Sequence, residues 1–167
     1  MQKVKLREAT LEDAQFLFEM MQDKDYQKYY LDRLLIKSFD SAQKYIRGAE
    51  RESKKGKSFC YIIMYGKERA GLLDIYKINQ KDKRCSIGYG LAKEYWGKGV
   101  TSIAVSQGLK IMKNKLKLHA CEGTIDPANI GSAKVLEKNG FKKIGLIEDY
   151  YWNNKKFVDR ILYWKVL

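Results

Sequence analysis

The stretch from Tyr89 to Phe141 constrains the fold more than any other part of the chain. A strand pattern leads into the glycine-containing turn Trp96–Thr101, and an amphipathic helix pattern follows directly. Glycines let the backbone of such a turn approach a ligand closely, and the free N–H groups at the start of a helix attract anions. A short strand and the polar segment Asn129–Ser132 come next. The stretch therefore predicts a phosphate-binding turn with polar side chains beside it.

The order of the elements predicts an α/β domain. Periodicity and turn residues give a strand, two helices, three strands, a helix, a strand, a helix and two strands. The three middle strands are joined by short turns and should be antiparallel, whereas the helix over 100–113 should make the next strand parallel to its predecessor. We therefore predict a mixed, mostly antiparallel seven-stranded sheet flanked by about four helices. No linker-like segment interrupts residues 1–167, so we expect one domain.

The predicted boundaries follow from the same patterns. Thr10 is expected to begin the first helix, with Asp13 completing a capping box. The segment 26–35 lacks a clean period and is predicted as a mixture of helix and loop. The other predicted elements are strands over 3–7, 58–65, 70–77, 84–91, 118–125, 141–151 and 157–167, and helices over 40–53, 100–113 and 129–138.

The net charge of +13 is the outlier in the composition. It would attract polyanions such as nucleic acid, an acidic protein surface or the phosphates of a carrier. The positive residues are mainly scattered lysines, whereas sequence-specific readout of nucleic acid depends on arginine and on clustered basic faces. We therefore favour a solvated lysine-rich surface and expect no specific nucleic-acid binding. The same field would repel a strongly cationic substrate.

Cysteine and metal chemistry find little support in the sequence. Cys60, Cys85 and Cys121 are widely spaced and His119 is the only histidine, so we predict no metal site. Reduced, buried cysteines are favoured over a catalytic pair of Cys121 with His119. No apolar run has the length of a membrane span, and the N-terminal segment has no signal-peptide core. We therefore expect a cytoplasmic protein without a membrane partner.

Together the motifs resemble those of the GNAT acetyltransferases, in particular the branch with ribosomal-protein N-terminal acetyltransferases and spermidine acetyltransferase. The resemblance extends over nearly the whole chain and is strongest over 84–164. It implies an enzyme that uses acetyl-CoA, a sheet splayed between its fourth and fifth strands and, as in many relatives, a homodimer. The residues that carry it are Ile87-Gly88-Tyr89, Glu94-Tyr95-Trp96-Gly97-Lys98-Gly99, Asn129-x-x-Ser132, Leu136-Glu137-Lys138-Asn139-Gly140-Phe141, and Lys156-Phe157-Val158-Asp159 with Tyr163.

The resemblance also implies which residues bind acetyl-CoA. In the family a bulge near Gly88–Gly90 splays the strand, and the backbone at Gly90 and Leu91 would then contact the pantetheine arm and polarise the thioester. Asn129 matches an asparagine that hydrogen-bonds the carrier arm. The pyrophosphate loop would consist of Trp96, Gly97, Lys98, Gly99, Val100 and Thr101, where Trp96 replaces the usual Arg or Gln and Thr101 the usual Gly or Ala.

Ser132 is the catalytic acid that the resemblance implies. It matches the serine that, in the ribosomal-protein branch, protonates the departing CoA thiolate, and many other members use a tyrosine where this chain has Leu136. The alternative is that Ser132 only caps or packs the start of its helix. No general base stands out, because Ser86 replaces a glutamate that some relatives have. Glu122 is the base that we predict, and Glu148 and Asp149 are the other candidates.

The missing glutamate favours an acceptor that loses its proton easily. A protein α-amine has a pKa of about 7.7–8.0, whereas a lysine amine has one near 10.4. We therefore predict transfer of acetyl to the N-terminal α-amine of a protein. The alternatives are a small-molecule amine such as a polyamine or an antibiotic, and a non-catalytic module that binds acyl-CoA or nucleic acid.

Overall fold

The computed structural model describes residues 3–167 of the chain. One sheet contains all seven strands in the order β1-β2-β3-β4-β5-β7-β6, which confirms the predicted mixed α/β fold. The strands are β1 (Val4–Glu8), β2 (Phe59–Tyr65), β3 (Glu68–Asn79), β4 (Arg84–Leu91), β5 (Ala120–Ile125), β6 (Lys142–Asn153) and β7 (Lys156–Val166). The helices are α1 (Ala14–Gln22), α2 (Lys24–Gln27), α3 (Phe39–Lys54), α4 (Val100–Lys110) and α5 (Ile130–Lys138).

The sheet is splayed between β4 and β5, as predicted. These two strands run parallel but pair only from Arg84↔Ala120 to Ser86↔Glu122. Beyond that point β5 stays paired with β7 as far as Ile125 and thereby leaves β4. From Ile87 onward, the described part of the chain therefore offers no partner strand to the β5-facing edge of β4.

The predicted bulge at Gly88–Gly90 was wrong. The pairing of β3 with β4 is continuous from Gly71↔Leu91 to Tyr76↔Ser86, and its irregularity lies between Tyr76 and Asn79. Lys77, at that irregularity, has a φ of 50°. The gap thus comes from β5 following β7, and β4 needs no extra residue to create it.

Two helical regions differ from their predicted form. The segment 26–35, predicted as helix and loop, contains the end of the one-turn helix α2 and a 3₁₀ turn over Asp32–Leu34. That short helix makes five helices instead of about four. The helix predicted over 100–113 keeps α-helical geometry only to Lys110 and continues as a π turn over Ile111–Lys115. Across residues 3–167, no helix has both the length and the apolar character needed to cross a membrane.

A buried ion cluster holds the start of α1 on the sheet. Asp13 is fully buried, and its carboxylate accepts hydrogen bonds from Arg7 of β1 (2.6 and 3.0 Å) and Arg69 of β3 (2.7 Å). The backbone N–H of Thr10 donates to it as well, at 2.8 Å, which confirms the predicted capping box. Burial by itself would raise the pKa of Asp13, but these hydrogen bonds together outweigh it and lower the pKa to about 2.

The cysteines are free and buried, as expected. Cys121 is completely buried on β5, whereas His119 is exposed just before that strand. The thiol of Cys121 contacts the backbone carbonyl of Glu122 at 3.6 Å. A catalytic pair of Cys121 with His119 is therefore not formed.

Candidate active site

The unpaired edge of β4 presents backbone groups to the gap. The N–H of Ala92 donates to Ala70 at 2.8 Å, so even-numbered residues of this segment direct their backbone groups toward β3. The carbonyls of Tyr89 and Leu91 accept side-chain hydrogen bonds from outside the sheet instead. Because N–H and C=O of one strand residue point to the same side, the N–H groups of Tyr89 and Leu91 face the gap. They are donors that an extended ligand lying in the gap can reach.

Gly90 contributes space rather than polar groups. Its backbone groups face β3, and the side chains of Tyr26 and Tyr30 occupy the volume beside its Cα. These two rings stack with their centroids 4.6 Å apart. The hydroxyl of Tyr26 donates to the hydroxyl of Tyr30 at 2.8 Å. The hydroxyl of Tyr30 donates in turn to the carbonyl of Tyr89 at 2.9 Å. The α2 region is thereby fixed to β4 at the edge of the gap.

The turn before α4 has the geometry of an anion site. Gly97 and Gly99 both have a φ of 73°, a left-handed conformation that a residue with a Cβ rarely adopts. Ile103 bonds back to Gly99, so the N–H groups of Val100, Thr101 and Ser102 have no partner within the helix. Val100 is 1% exposed and anchors this helix start in the core. The free N–H donors, the positive end of the helix dipole and the glycine turn therefore lie at one place, as an anion site requires.

Trp96, which stands in place of Arg or Gln, makes a hydrogen bond that holds the turn. Its indole N–H donates to the carbonyl of Leu91 at 2.7 Å, while the ring remains 45% exposed. The ammonium of Lys98 lies 5.5 Å from the centre of the Tyr95 ring. Trp96 therefore ties the turn to the end of β4, and the backbone of the turn remains available to an anion.

The start of α5 lies across the gap from β4. The side-chain oxygen of Asn129 caps the helix by accepting from the N–H of Ser132 at 3.0 Å. The hydroxyl of Tyr89 donates to the carbonyl of Ser132 at 3.3 Å. Leu136, one turn later, is fully buried and rests on Gly123 of β5. Ser132 is thus the hydroxyl-bearing residue of α5 at this edge, as predicted, and Tyr89 brings a second hydroxyl to it.

The end of α5 is held by residues of the motif over 136–141. The side-chain amide of Asn139 donates to the hydroxyl of Ser102 on α4 at 3.2 Å. Glu137 accepts from the hydroxyl of Tyr163 on β7 at 3.0 Å. These two contacts tie α5 to α4 and to β7.

Two neighbouring cavities open on the gap. The smaller cavity has a volume of about 380 Å³ and is lined, among others, by Gly90, Leu91, Trp96, Gly97, Thr101, Asn129 and Ser132. The larger cavity has a volume of about 670 Å³ and lies on the side of α3, β3 and β7. Tyr29, Tyr30, Tyr89 and Asn129 line both cavities. The two cavities therefore lie side by side, with these four residues between them.

The predicted base candidates lie apart from this junction. Glu122 accepts a hydrogen bond from Ser86 at 2.8 Å and lines a narrow crevice beside Tyr76 and Tyr150. Glu148 and Asp149 are exposed on β6. None of these three carboxylates lines either of the two neighbouring cavities. The structure thus brings the predicted backbone groups of β4 and of the glycine turn together with Asn129 and Ser132. Glu122 lies elsewhere.

A carboxylate that the sequence reasoning missed does line the larger cavity. Asp74 lies in the middle of β3, between Cys60 of β2 and Gly88 of β4. The hydroxyl of Tyr45 donates to it at 2.6 Å. An aspartate inside the otherwise apolar run over 70–75 was the available signal, because aspartate is depleted in strands and costly to bury.

The chain belongs to the GNAT acetyltransferase family. The sequence profile of the acetyltransferase (GNAT) domain matches residues 3–142, which is most of the chain. The uncharacterized N-acetyltransferase p20 of Bacillus licheniformis is 29% identical over 160 residues, covering 95% of this chain and 89% of p20. The resemblance found in the sequence is confirmed.

Solved structures share the fold at low sequence identity. RimL, a ribosomal L7/L12 α-N-protein acetyltransferase in complex with coenzyme A, aligns with a TM-score of 0.91 at 20% identity over 100% of this chain and 96% of RimL. The microcin C7 self-immunity acetyltransferase MccE, in complex with acetyl-CoA and AMP, aligns with a TM-score of 0.89 at 19% identity over 99% and 93%. The protein is therefore an acetyltransferase of the GNAT family.

Proposed function

We propose that this enzyme acetylates the N-terminal α-amine of a protein, with residues 1–167 acting as one catalytic domain. Trp96–Thr101 would bind the pyrophosphate of acetyl-CoA, and the pantetheine arm would lie along the β4 edge against Asn129. The N–H groups of Tyr89 and Leu91 would polarise the thioester carbonyl. Ser132 would return a proton to the departing thiolate. The observation that carries this proposal is the pair of neighbouring cavities, which supports one site for the donor and another for the acceptor.

The charges around the larger cavity support an α-amine over a polyamine. Arg33, Lys44, Lys77 and Arg160 line it together with Glu52, Asp74 and Asp126. Asp126 pairs with Arg160 at 3.5 Å and Glu52 with Lys55 at 2.9 Å, so two of the three carboxylates are already matched. Among the cations, Arg160 is paired with Asp126 and Lys44 with Asp40 at 2.7 Å, which leaves Arg33 and Lys77 as a cationic rim without an ion pair among the described residues. A polyamine would bring several cations to a wall on which Asp74 is the carboxylate that no described cation pairs. A protein N-terminus brings one ammonium.

Replacing Ser132 by alanine is expected to lower turnover by about 100-fold, because the thiolate would leave without its proton donor. The assay measures thiol release from acetyl-CoA with peptides that begin in Ser, Ala, Thr or Met, and with spermidine and an aminoglycoside. Mass spectrometry of the product locates the acetyl group on the α-amine. Ser53→Ala, a change of the same kind at the end of α3, is the control and should keep full turnover.

Affinity for acetyl-CoA separates the two roles of Ser132. A catalytic acid leaves the Kd of acetyl-CoA in Ser132→Ala within about twofold of wild type, whereas a serine that only packs α5 changes the Kd and not the turnover of the bound complex. If Ser132→Ala is as active as wild type and Tyr89→Phe is not, the hydroxyl of Tyr89 is the acid. Tight acetyl-CoA binding without turnover of any amine would indicate a binding module.

The cationic rim predicts a preference for acidic acceptors. Peptides with Asp or Glu at positions two and three should have a kcat/KM about tenfold above peptides with Lys there, because the ammonium is followed by charges that the rim attracts. The preference should shrink in 0.5 M salt, where screening shortens the range of the field. Lys77→Gln, which removes one exposed rim cation, should reduce it as well. Spermidine acetylated faster than every peptide would instead favour a polyamine acetyltransferase.

The homodimer, the cytoplasmic location and the lack of specific nucleic-acid binding remain predictions that accompany this proposal. Exposed apolar side chains on the β6–β7 hairpin, such as Leu146, Trp152 and Phe157, support a protein contact at this end of the sheet.

A further inference from the structure

Asp74 is a half-buried carboxylate on the wall of the larger cavity, and no cation accompanies it. Across residues 3–167, no lysine, arginine or histidine lies within 4.0 Å of its oxygens, whereas Asp13, the other carboxylate held by β3, is met by two arginines. An uncompensated carboxylate inside a protein is costly unless hydrogen bonds or a bound cation stabilise it. The hydrogen bond from Tyr45 satisfies only part of the capacity of Asp74. Asp74 therefore retains acceptor capacity toward a cationic group.

The surroundings of Asp74 are neutral and aromatic. The hydroxyl of Tyr45 contacts it directly, and the other titratable groups whose pKa its charge affects are the hydroxyls of Tyr26, Tyr30 and Tyr76 and the thiol of Cys60. The charge of Asp74 contributes to raising the pKa of each of these groups, after burial, so all of them remain protonated donors at neutral pH. The charged groups elsewhere on the cavity wall are Arg33, Lys44, Glu52, Lys77, Asp126 and Arg160. Glu52 and Asp126 are already paired with Lys55 and Arg160, so Asp74 and the tyrosine rings form a setting that suits one ammonium group.

Asp74 lies on the strand next to β4, which borders the gap. Its neighbour on β4 is Gly88, which has no side chain to cover it, and Tyr89 follows at the junction of the two cavities. The N–H of Tyr89 points into the gap where the thioester would lie. An amine held by Asp74 would thus share the larger cavity with Tyr89 of the strand that would hold the acetyl group.

We propose that Asp74 binds the ammonium of the acceptor and accepts a proton from it, acting as the general base of the reaction. The inference rests on the proposed function only in treating the acceptor as a primary amine, and it applies to an α-amine and to spermidine alike. Asp74 takes one proton from R–NH3⁺, the neutral nitrogen forms the C–N bond at the thioester carbon, and the C–S bond then breaks. The nitrogen then loses a second proton, which balances the proton that the thiolate receives. The products are the amide, CoA thiol and one H⁺ on Asp74. This last proton passes to solvent.

The acid–base properties of Asp74 agree with this role. Burial raises its pKa to about 6, against opposing hydrogen bonds from Tyr45 and Cys60. A base is most effective when its pKa lies close to the working pH, because it is then ionised and still basic enough to take a proton. An aspartate with its ordinary pKa would be a much weaker base toward an ammonium.

The test replaces Asp74 by asparagine, which keeps the shape and removes the charge. We expect kcat/KM at pH 7 to fall by at least about 100-fold for whichever amine the wild type acetylates, a serine-initiated peptide or spermidine. The Kd of acetyl-CoA should stay within about twofold, since Asp74 lines only the larger cavity. Glu19→Gln, which removes an exposed carboxylate of α1, is the matched control and should retain wild-type activity. Asp74→Glu should restore part of the rate.

The pH profile distinguishes a base from a structural residue. In the wild type, kcat/KM should be bell-shaped, rising as Asp74 ionises near pH 6 and falling as the free amine loses its proton. In Asp74→Asn the rising limb near pH 6 should be lost, and the residual rate should increase up to the pKa of the amine. Tyr45→Phe, which removes a hydrogen bond that lowers the pKa of Asp74, should move the rising limb to higher pH. An unchanged limb in Asp74→Asn, or its loss in Glu122→Gln instead, overturns the proposal.

A binding measurement covers the case in which the wild type acetylates neither probe. In protein labelled with carboxyl-¹³C aspartate, one resonance should titrate near pH 6 and be missing from Asp74→Asn. Adding alaninamide with CoA should lower the pKa of that resonance, because a bound ammonium stabilises the carboxylate. If the pKa of that resonance does not change at a saturating concentration of alaninamide, the result contradicts the role of Asp74. Preference for spermidine with a dependence on Asp74 would refute only the proposed α-amine acceptor.

Discussion

Gly90→Ala is expected to lower kcat/KM by at least about 100-fold and to destabilise the protein by about 3 kcal/mol. A Cβ at this position would overlap the hydroxyls of Tyr26 and Tyr30 and would lie 2.6 Å from the Cζ of Tyr26. Neither ring can turn aside easily, because the two stack on each other and are hydrogen-bonded to one another and to the carbonyl of Tyr89. Relief of the overlap would have to move α2 or the β4 edge.

Such a movement acts on the part of β4 that would hold the thioester. We expect thermal unfolding to show a lowered Tm, and thiol release to show the loss of turnover in the fraction that remains folded. Gly145→Ala on β6 is the control, because an added Cβ there meets nothing within 4 Å. A Gly90→Ala enzyme with the Tm and rate of the wild type would show that the tyrosine pair is free to move.

Asp13→Asn is expected to destabilise the protein by about 2 kcal/mol at pH 7, which corresponds to the lowering of the Asp13 pKa from 3.8 to about 2. The variant leaves Arg7 and Arg69 without their shared carboxylate and loses an acceptor of the Thr10 N–H. Urea unfolding at pH 7 measures the difference. Asp40→Asn, at an exposed ion pair with Lys44, should change the stability by less than about 1 kcal/mol.

The contribution of Asp13 also has a defined pH window. Because its folded pKa lies below the unfolded value, the unfolded state binds more protons between these two values. The stabilisation is therefore complete above pH 4 and is lost as the pH falls toward about 2. At pH 3 about half of it should be gone in the wild type, whereas Asp13→Asn should show no loss from this group. Equal pH slopes in the two proteins would contradict the assignment.

Local patterns predicted most of the backbone. The strand, helix and turn boundaries lay within a few residues of those observed because burial on one face imposes a period that is written along the chain. The capping box of Thr10 with Asp13 and the cap of α5 by Asn129 are equally local, since donor and acceptor are three residues apart. The glycine turn before α4 was also predictable, because a left-handed φ at Gly97 and Gly99 is a property of the residue type.

Long-range contacts limited the prediction of the site. The predicted bulge at Gly88–Gly90 failed because the divergence of β4 and β5 depends on the pairing of β5 with β7, which no pattern within β4 records. The residue type and strand position of Glu122 predict a base, but the fold places this carboxylate against Ser86, apart from the two neighbouring cavities. The sequence does not predict a role for Asp74, because the residues around it belong to other elements.

The sequence by itself determined the order of the elements, the mixed sheet, the glycine turn and the cap of α5, since each depends on neighbouring residues or on a regular period. Only the tertiary structure decided which side chains converge on the gap. The hydroxyl of Tyr30 meets the carbonyl of Tyr89 across 59 positions, and Tyr45 meets Asp74 across 29. Contacts of this kind depend on how helices pack on the sheet, and packing is set by the summed burial of many side chains rather than by any one segment.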